Sequence, residues 1–128
     1  MDKQEFYAQL DRLGLCTQDA LERFMGNEEL FLSFVRQLPE KLNLSRIRQA
    51  LDQEDEESFY LSIHSLKGLA GNMSIGSVRD CAQAISVEFQ SSQFLHKKKL
   101  AALVCEAERE CQAISALVNQ YLSEVEVP

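Results

Sequence analysis

A histidine, a lysine and two glycines lie close together in the segment Ser58–Met73. Lys67 follows His64 by three residues, and Gly68 and Gly71 come next. An exposed imidazole is largely neutral at pH 7 and can act as a nucleophile. Residues three apart lie on the same side of a helix, so the Lys67 ammonium could stabilise an anion attached to His64. The four residues therefore form a candidate group-transfer site.

The segment that carries His64 also has a regular apolar stripe. The stripe has residues spaced 4, 3, 4 and 3 apart, namely Phe59, Ile63, Leu66, Ala70 and Met73. At about 100° per residue, the centre of this stripe lies about 140° around the helix from His64. We therefore expect His64 to face away from the core of the protein.

The outward face around His64 has an unusual composition for a surface in contact with water. Gly68 and Gly71 each cost about 0.5–1 kcal/mol relative to alanine inside a helix. They also leave the surface low beside the imidazole, so another molecule can approach it closely. Tyr60 and Leu61 add exposed apolar area, as docking surfaces often do. We predict that Tyr60, Leu61, Gly68 and Gly71 form a surface for partner docking.

The run His64-Ser65-Leu66-Lys67-Gly68 resembles the His-x-x-Lys-Gly motif of histidine-containing phosphotransfer (HPt) domains. The resemblance covers about residues 28–122. It implies an all-α fold, an antiparallel up-and-down four-helix bundle with the histidine on its second helix. It also implies that His64 accepts a phosphoryl group from the aspartate of a receiver domain and passes it to another receiver.

The same resemblance implies roles for further residues. Lys67 would stabilise the charge of the added phosphoryl group, and Gly68 would keep the approach open. Family members often have a polar side chain on the facing helix, about 22 residues after the histidine, and Ser86 has that position here. Gln83 and Gln90 lie about one turn to either side, and the sequence leaves open which of the three serves.

The resemblance implies a phosphoryl carrier that has no catalytic activity of its own. Phosphoryl transfer requires mainly positioning and charge stabilisation. The sequence has no glycine-rich nucleotide loop and no acidic cluster beside His64 that would hold Mg²⁺, so we expect no cofactor or metal site. The Mg²⁺ would come with the partner. The expected partners of a monomeric protein are the receiver domain of a hybrid sensor histidine kinase and that of a response regulator.

The chain departs from the family pattern at the end of the His64 helix. The family usually has glycine ten residues after the histidine, whereas this chain has Ser74 there and a glycine only at Gly76. We therefore expect a turn that is two residues longer or differently shaped. Such a turn would change which residues of the following helix lie opposite His64.

Two alternatives to the phosphorelay hypothesis remain open. The chain could be a non-phosphorylated helical adaptor, or a phosphotransfer module of a larger kinase, including the chemotaxis type. The presence of His64, Lys67 and Gly68 together favours phosphotransfer over a pure adaptor. His96 precedes three lysines and has no following Lys-Gly pair, so we predict an ordinary surface residue there.

Composition and charge argue against several classes of protein. Thirteen Lys and Arg against twenty Asp and Glu give a net charge of −7, which does not favour nucleic-acid binding. The cysteines form no CxxC pair and have no zinc spacing, so we expect reduced thiols; they are Cys16, Cys81, Cys105 and Cys111. No signal peptide and no 18-residue apolar run is present, which predicts a cytoplasmic protein with no membrane segment.

Helices account for the whole predicted architecture, since the chain has only five glycines and two prolines. We predict a single domain over residues 1–128, with a helical cap over residues 1–26 ahead of the core bundle. The predicted helices cover residues 3–13, 17–24, 28–51, 55–73, 78–91 and 95–123.

The ends of several predicted helices have recognisable residues. Asp2, Thr17, Asn27 and Ser77 are candidate N-caps because their side-chain oxygens can accept from free backbone N–H groups. Pro39 interrupts the apolar pattern of the third helix, so that segment is either one kinked helix or two adjoining helices.

Overall fold

The computed structural model describes residues 1–125. These residues form α-helices joined by short connections, with one isolated bridge between Leu15 and Ile75. The helices are α1 (Lys3–Arg12), α2 (Thr17–Arg23), α3 (Glu28–Arg36), α4 (Leu38–Lys41), α5 (Ser45–Gln53), α6 (Glu56–Asn72), α7 (Gly76–Ser92) and α8 (Lys97–Val125). None of these helices is long and apolar enough to cross a membrane.

Helices α5 to α8 form the bundle that positions the His64 face. Helix α6 packs between α5 and α7, and α8 packs against α7, α4 and α5. The apolar stripe of α6 is buried as predicted, and it comprises Phe59, Ile63, Leu66, Ala70 and Met73. The predicted all-α bundle with short additional N-terminal helices is therefore confirmed.

The segment around Pro39 was predicted as one kinked helix or two adjoining helices, and this prediction is wrong, because the chain forms the three helices α3, α4 and α5 with breaks at Gln37 and at residues 42–44. Helix α3 ends at Arg36, and Pro39 lies in the first turn of α4, where a missing N–H removes no helical hydrogen bond. Leu38 and Leu42 are both buried, and α4 packs on α8. The chain therefore changes helix at Gln37, just before Leu38 and Pro39, and still keeps its apolar side on the core.

Two of the predicted N-caps are present in the structure. The Asp2 carboxylate accepts from the backbone N–H of Glu5 at 2.8 Å, and the Asn27 side chain accepts from that of Leu30 at 3.1 Å. Both caps act within one helical turn, so the local sequence was sufficient to predict them.

The other two predicted caps are wrong, because their hydroxyls bond elsewhere in the fold. Thr17 lies inside the first turn of α2, and its Oγ1 donates to Asp11 at 3.0 Å. Helix α7 begins at Gly76, one residue before Ser77, and the Ser77 Oγ donates to the Leu13 carbonyl at 2.8 Å. Tertiary partners thus replace the local capping bonds.

The turn between α6 and α7 contains Ser74 in a conformation that favours glycine. Its φ is +56°, in the left-handed region. The N–H of Ile75 donates to the carbonyl of Ala70 at 2.8 Å, as in a Schellman helix end. The Ser74 hydroxyl also donates to Asp19 of α2. Ser74 itself therefore takes the left-handed position, and no extra residues are needed before Gly76.

The connection between α1 and α2 packs directly against this turn. Cys16 N–H donates to the Ser74 carbonyl at 2.9 Å, and Gly76 N–H donates to the Gly14 carbonyl at 2.8 Å. Gly14 has a φ of +100°, and a Cβ on it would overlap the Ser77 side chain. The N-terminal segment therefore fixes the end of α6 and the start of α7.

Candidate functional site

His64 lies in the middle of α6, on the side that faces solvent. Its side chain is exposed, whereas Ile63 beside it is buried. The Tyr60 ring lies one turn earlier, with its centroid 6.0 Å from that of the imidazole and its plane tilted by only 11°. The predicted outward orientation of His64 is therefore confirmed, and one aromatic ring flanks the imidazole.

Lys67 is linked to the facing helix by a hydrogen bond. Its Nζ donates to Oε1 of Gln83 on α7 at 2.8 Å. Lys67 is half-buried, and Gln83 is exposed. An ammonium group has three donors, so this bond leaves capacity for an anion next to His64. Gln83 can thus hold the cation near the imidazole.

A small hollow of about 60 Å³ lies between α6 and α7 beside the imidazole. His64, Lys67, Ser86 and Gln90 contribute its polar groups, and apolar side chains such as Phe89 complete it. Among residues 1–125, none of the predicted polar partners forms a hydrogen bond with the imidazole. The structure therefore brings Ser86 and Gln90 to the same hollow as His64, while Gln83 contacts Lys67 instead.

The two glycines after Lys67 are not required by packing within the protein. A Cβ atom added to Gly68 or to Gly71 would have no heavy atom within 4 Å. Neither residue has a positive φ. Because alanine would fit at both places and stabilise the helix, the fold itself does not explain these glycines.

Tyr60 and Leu61 lie on two different sides of His64. Their exposed fractions are 50% and 52%. Tyr60 borders the hollow toward α7, whereas Leu61 borders a larger groove toward α5. The predicted docking residues therefore surround the imidazole and do not form one compact apolar patch.

The remaining reactive side chains lie apart from this site. His96 is exposed in the connection that leads into α8. All four cysteines are free thiols, and burial raises the pKa of the Cys111 thiol to about 12. Within the described range, no group of three His, Cys, Asp or Glu side chains is arranged to hold a metal ion.

The contact that holds Lys67 does not follow from the sequence. Gln83, Ser86 and Gln90 could be grouped only by their distance along the chain from the histidine. The relative rotation of α6 and α7 decides which of them reaches Lys67, and that rotation is set by core packing. In the sequence, only the polar character of Gln83 indicated that it could contact Lys67.

Comparison with known families agrees with this geometry. The model of the Hpt domain family matches residues 29–125, which include the whole of α6, α7 and α8. Neither the curated proteins nor the solved structures gave a match. A match over this much of the chain indicates a histidine phosphotransfer role in a phosphorelay, with receiver domains as partners. The chain belongs to the Hpt domain family.

Proposed function

We propose that this protein carries phosphoryl groups between two receiver domains, with His64 as the phosphoacceptor. The first would be the receiver of a hybrid sensor kinase, and the second that of a response regulator. The main support is an exposed imidazole flanked by a cation and by Gly68 and Gly71, which the fold does not require. This combination suits close approach by another protein and stabilisation of an added anion.

The chemistry balances without a cofactor in this chain. The lone pair of a ring nitrogen of His64 attacks the phosphorus of an aspartyl phosphate on the receiver. The N–P bond forms as the P–O bond to the aspartate breaks, and the aspartate leaves as a carboxylate. Transfer to the second receiver reverses these steps with a new aspartate. Positioning and charge stabilisation dominate such reactions, and the receiver would supply Mg²⁺.

Lys67 and the polar residues of α7 would act on the transferred group. The Lys67 ammonium can keep its bond to Gln83 and donate another N–H to a phosphoryl oxygen. Ser86 and Gln90 line the same hollow as His64 and could donate to the remaining oxygens. In this proposal Gln83 positions the lysine and does not itself touch the phosphoryl group.

The direct test uses two histidine variants that differ only in their position. Hybrid kinases of the source organism are loaded with radiolabelled ATP and mixed with the wild type, His64→Gln or His96→Gln. We expect acid-labile label on the wild type and on His96→Gln, and none on His64→Gln. Because His64 is exposed, His64→Gln should also keep the wild-type melting temperature. Label that survives His64→Gln would contradict the assignment.

A double-mutant cycle tests the arrangement of Lys67 and Gln83. We expect Lys67→Ala to slow transfer by about tenfold or more, because it removes a charge-assisted contact. Gln83→Ala should slow it less, and it should have no further effect once Lys67 is alanine. Equal effects of Gln83→Ala in both backgrounds would show that Gln83 acts independently of Lys67.

The same assay separates the alternatives. A folded protein that binds receivers and takes no label would be an adaptor. Label that comes only from a kinase catalytic domain with ATP, and never from a receiver, would indicate a module of the chemotaxis type.

A further inference from the structure

One side of the His64 imidazole is flanked by the ring of Tyr60. The two ring centroids are 6.0 Å apart and the ring planes differ by 11°, and this separation is within the range of about 4.5–7 Å for offset-stacked aromatic pairs. Side chains in a helix lean toward its N-terminus, over the residue one turn earlier. His64 therefore leans toward Tyr60, and the contact follows from their spacing along α6.

The other side of the imidazole is open. The residue one turn later is Gly68, which has no side chain that could lean back over His64. A Cβ atom built on Gly68 would have no heavy atom within 4 Å. The imidazole thus has an aromatic ring toward the N-terminus of α6 and free space toward the C-terminus. A reacting group can reach it from the side away from Tyr60.

The stack with Tyr60 is the interaction that can restrain the imidazole. Among residues 1–125, His64 forms no hydrogen bond and no ion pair, and exposed side chains change rotamer within picoseconds to nanoseconds. Tyr60 borders the hollow together with Phe89, which is buried. The Phe89 ring packs on that of Phe59, with centroids 4.8 Å apart. The Tyr60 ring therefore lies beside a packed part of the core.

We propose that Tyr60 is a positioning residue, whose ring holds the His64 imidazole in one rotamer with its open side toward the incoming phosphoryl group. This inference rests on the proposed phosphotransfer function. The ring nitrogen, the phosphorus and the leaving oxygen must lie roughly in line, and a misplacement of about 1 Å can cost about a hundredfold in rate. A restrained imidazole reaches that geometry more often than a freely rotating one. Because Tyr60 acts through His64, its effect belongs to the rate within the complex and not to the affinity.

Proton NMR of the imidazole tests the contact without any phosphorylation. The chain has two histidines, so His96 provides an internal reference in each spectrum. Tyr60→Leu should shift the ring-proton resonances of His64, because the ring current of the tyrosine is lost. Tyr60→Phe keeps an aromatic ring and should nearly preserve these resonances. Unchanged His64 resonances in Tyr60→Leu would overturn the proposal.

Single-turnover transfer from a phosphorylated receiver tests what the contact does. The rate is measured over a range of receiver concentrations. Tyr60→Leu should lower the rate at saturating receiver by about two- to tenfold, the range expected for a lost aromatic pair, and leave the half-saturating concentration near the wild-type value. Tyr60→Phe should restore the wild-type rate. A change in the half-saturating concentration alone would assign Tyr60 to docking and overturn the proposal.

Phe34→Leu is the matched control, because it also removes a partly exposed ring that is paired with another. Phe34 is 41% exposed, and its ring centroid is 5.1 Å from that of Phe24. It belongs to α3, which packs on α2, α4 and α8. The control should change neither the His64 resonances nor the transfer rate, and melting temperatures check that each variant is folded. Equal slowing in Phe34→Leu would show a general effect of losing a surface ring, which would also overturn the proposal.

The wild type separates the role of Tyr60 from the phosphotransfer function. A wild type that takes no label from any receiver would refute the phosphotransfer function, and the role of Tyr60 with it. A labelled wild type together with a Tyr60→Leu variant that transfers equally fast would refute only the role of Tyr60.

Discussion

Replacing Gly68 with alanine should stabilise the isolated protein and impair phosphoryl transfer at the same time. Gly68 lies inside α6 on the exposed side, one residue after Lys67. A Cβ atom there would have no heavy atom within 4 Å. The substitution therefore introduces no clash within the protein, and it removes the conformational freedom that glycine gives to the unfolded chain.

The size of both effects can be estimated. Glycine inside a helix costs about 0.5–1 kcal/mol relative to alanine. With an unfolding entropy of about 2.1 cal/mol/K per residue, Gly68→Ala should raise the melting temperature by about 2–4 °C. In the complex, the reacting atoms must come within about 3–3.5 Å, and a misplacement of about 1 Å can cost about a hundredfold in rate. We therefore expect transfer to slow by about tenfold or more.

Thermal unfolding followed by circular dichroism measures the first effect, and the initial rate of label transfer from a receiver measures the second. Gly71→Ala is the graded control, because its Cβ would also have no neighbour within 4 Å. Gly71 lies about 10.5 Å along the helix axis from His64, compared with about 6 Å for Gly68. It should give a similar stabilisation and a smaller loss of transfer.

Two results would refute this reasoning about Gly68. A lower melting temperature for Gly68→Ala would mean that the fold needs the glycine. Wild-type transfer rates in Gly68→Ala, and in a bulkier variant such as Gly68→Leu, would mean that no partner approaches that part of α6.

Three further predictions concern stability and reactivity away from the site. Gly14→Ala should lower the free energy of unfolding by more than about 1 kcal/mol, because its φ is positive and the added Cβ would overlap Ser77; an unchanged urea midpoint would contradict this. Lys99 donates to Glu88 and, with its charge, holds the pKa of that carboxyl below its ordinary value of 4.5. This stabilisation is present above pH 4.5 and is lost as the pH falls through the lowered pKa. The free energy of unfolding of Glu88→Gln should therefore decrease less between neutral and acidic pH than that of the wild type. Identical pH profiles of the two proteins would contradict this prediction. Burial raises the pKa of Cys111 to about 12, so iodoacetamide at about pH 8 should modify the exposed cysteines of the folded protein and spare Cys111, as peptide mass spectrometry can show.

Local sequence predicted the helices outside residues 28–53 and the direction in which His64 points. The spacing of apolar residues in α6 fixes one buried stripe, and His64 must then face outward because a helix has a constant rotation per residue. The caps at Asp2 and Asn27 follow from the same kind of short-range geometry, since donor and acceptor lie within one turn. The His-x-x-Lys-Gly motif could be recognised for the same reason, because all of its residues lie on adjoining turns of one helix.

The tertiary structure alone decided how the helices meet. The contact of Lys67 with Gln83 depends on the rotation of α7 against α6, and the Ser77 hydroxyl reaches the N-terminal segment and not its own helix. Ser74 can take a left-handed conformation where it is held by Asp19, which is far away in the sequence. The groove beside α6 likewise exists only once α5 has packed. Periodicity specifies each helix by itself, whereas the packing of residues distant in the chain sets the angles and register between helices.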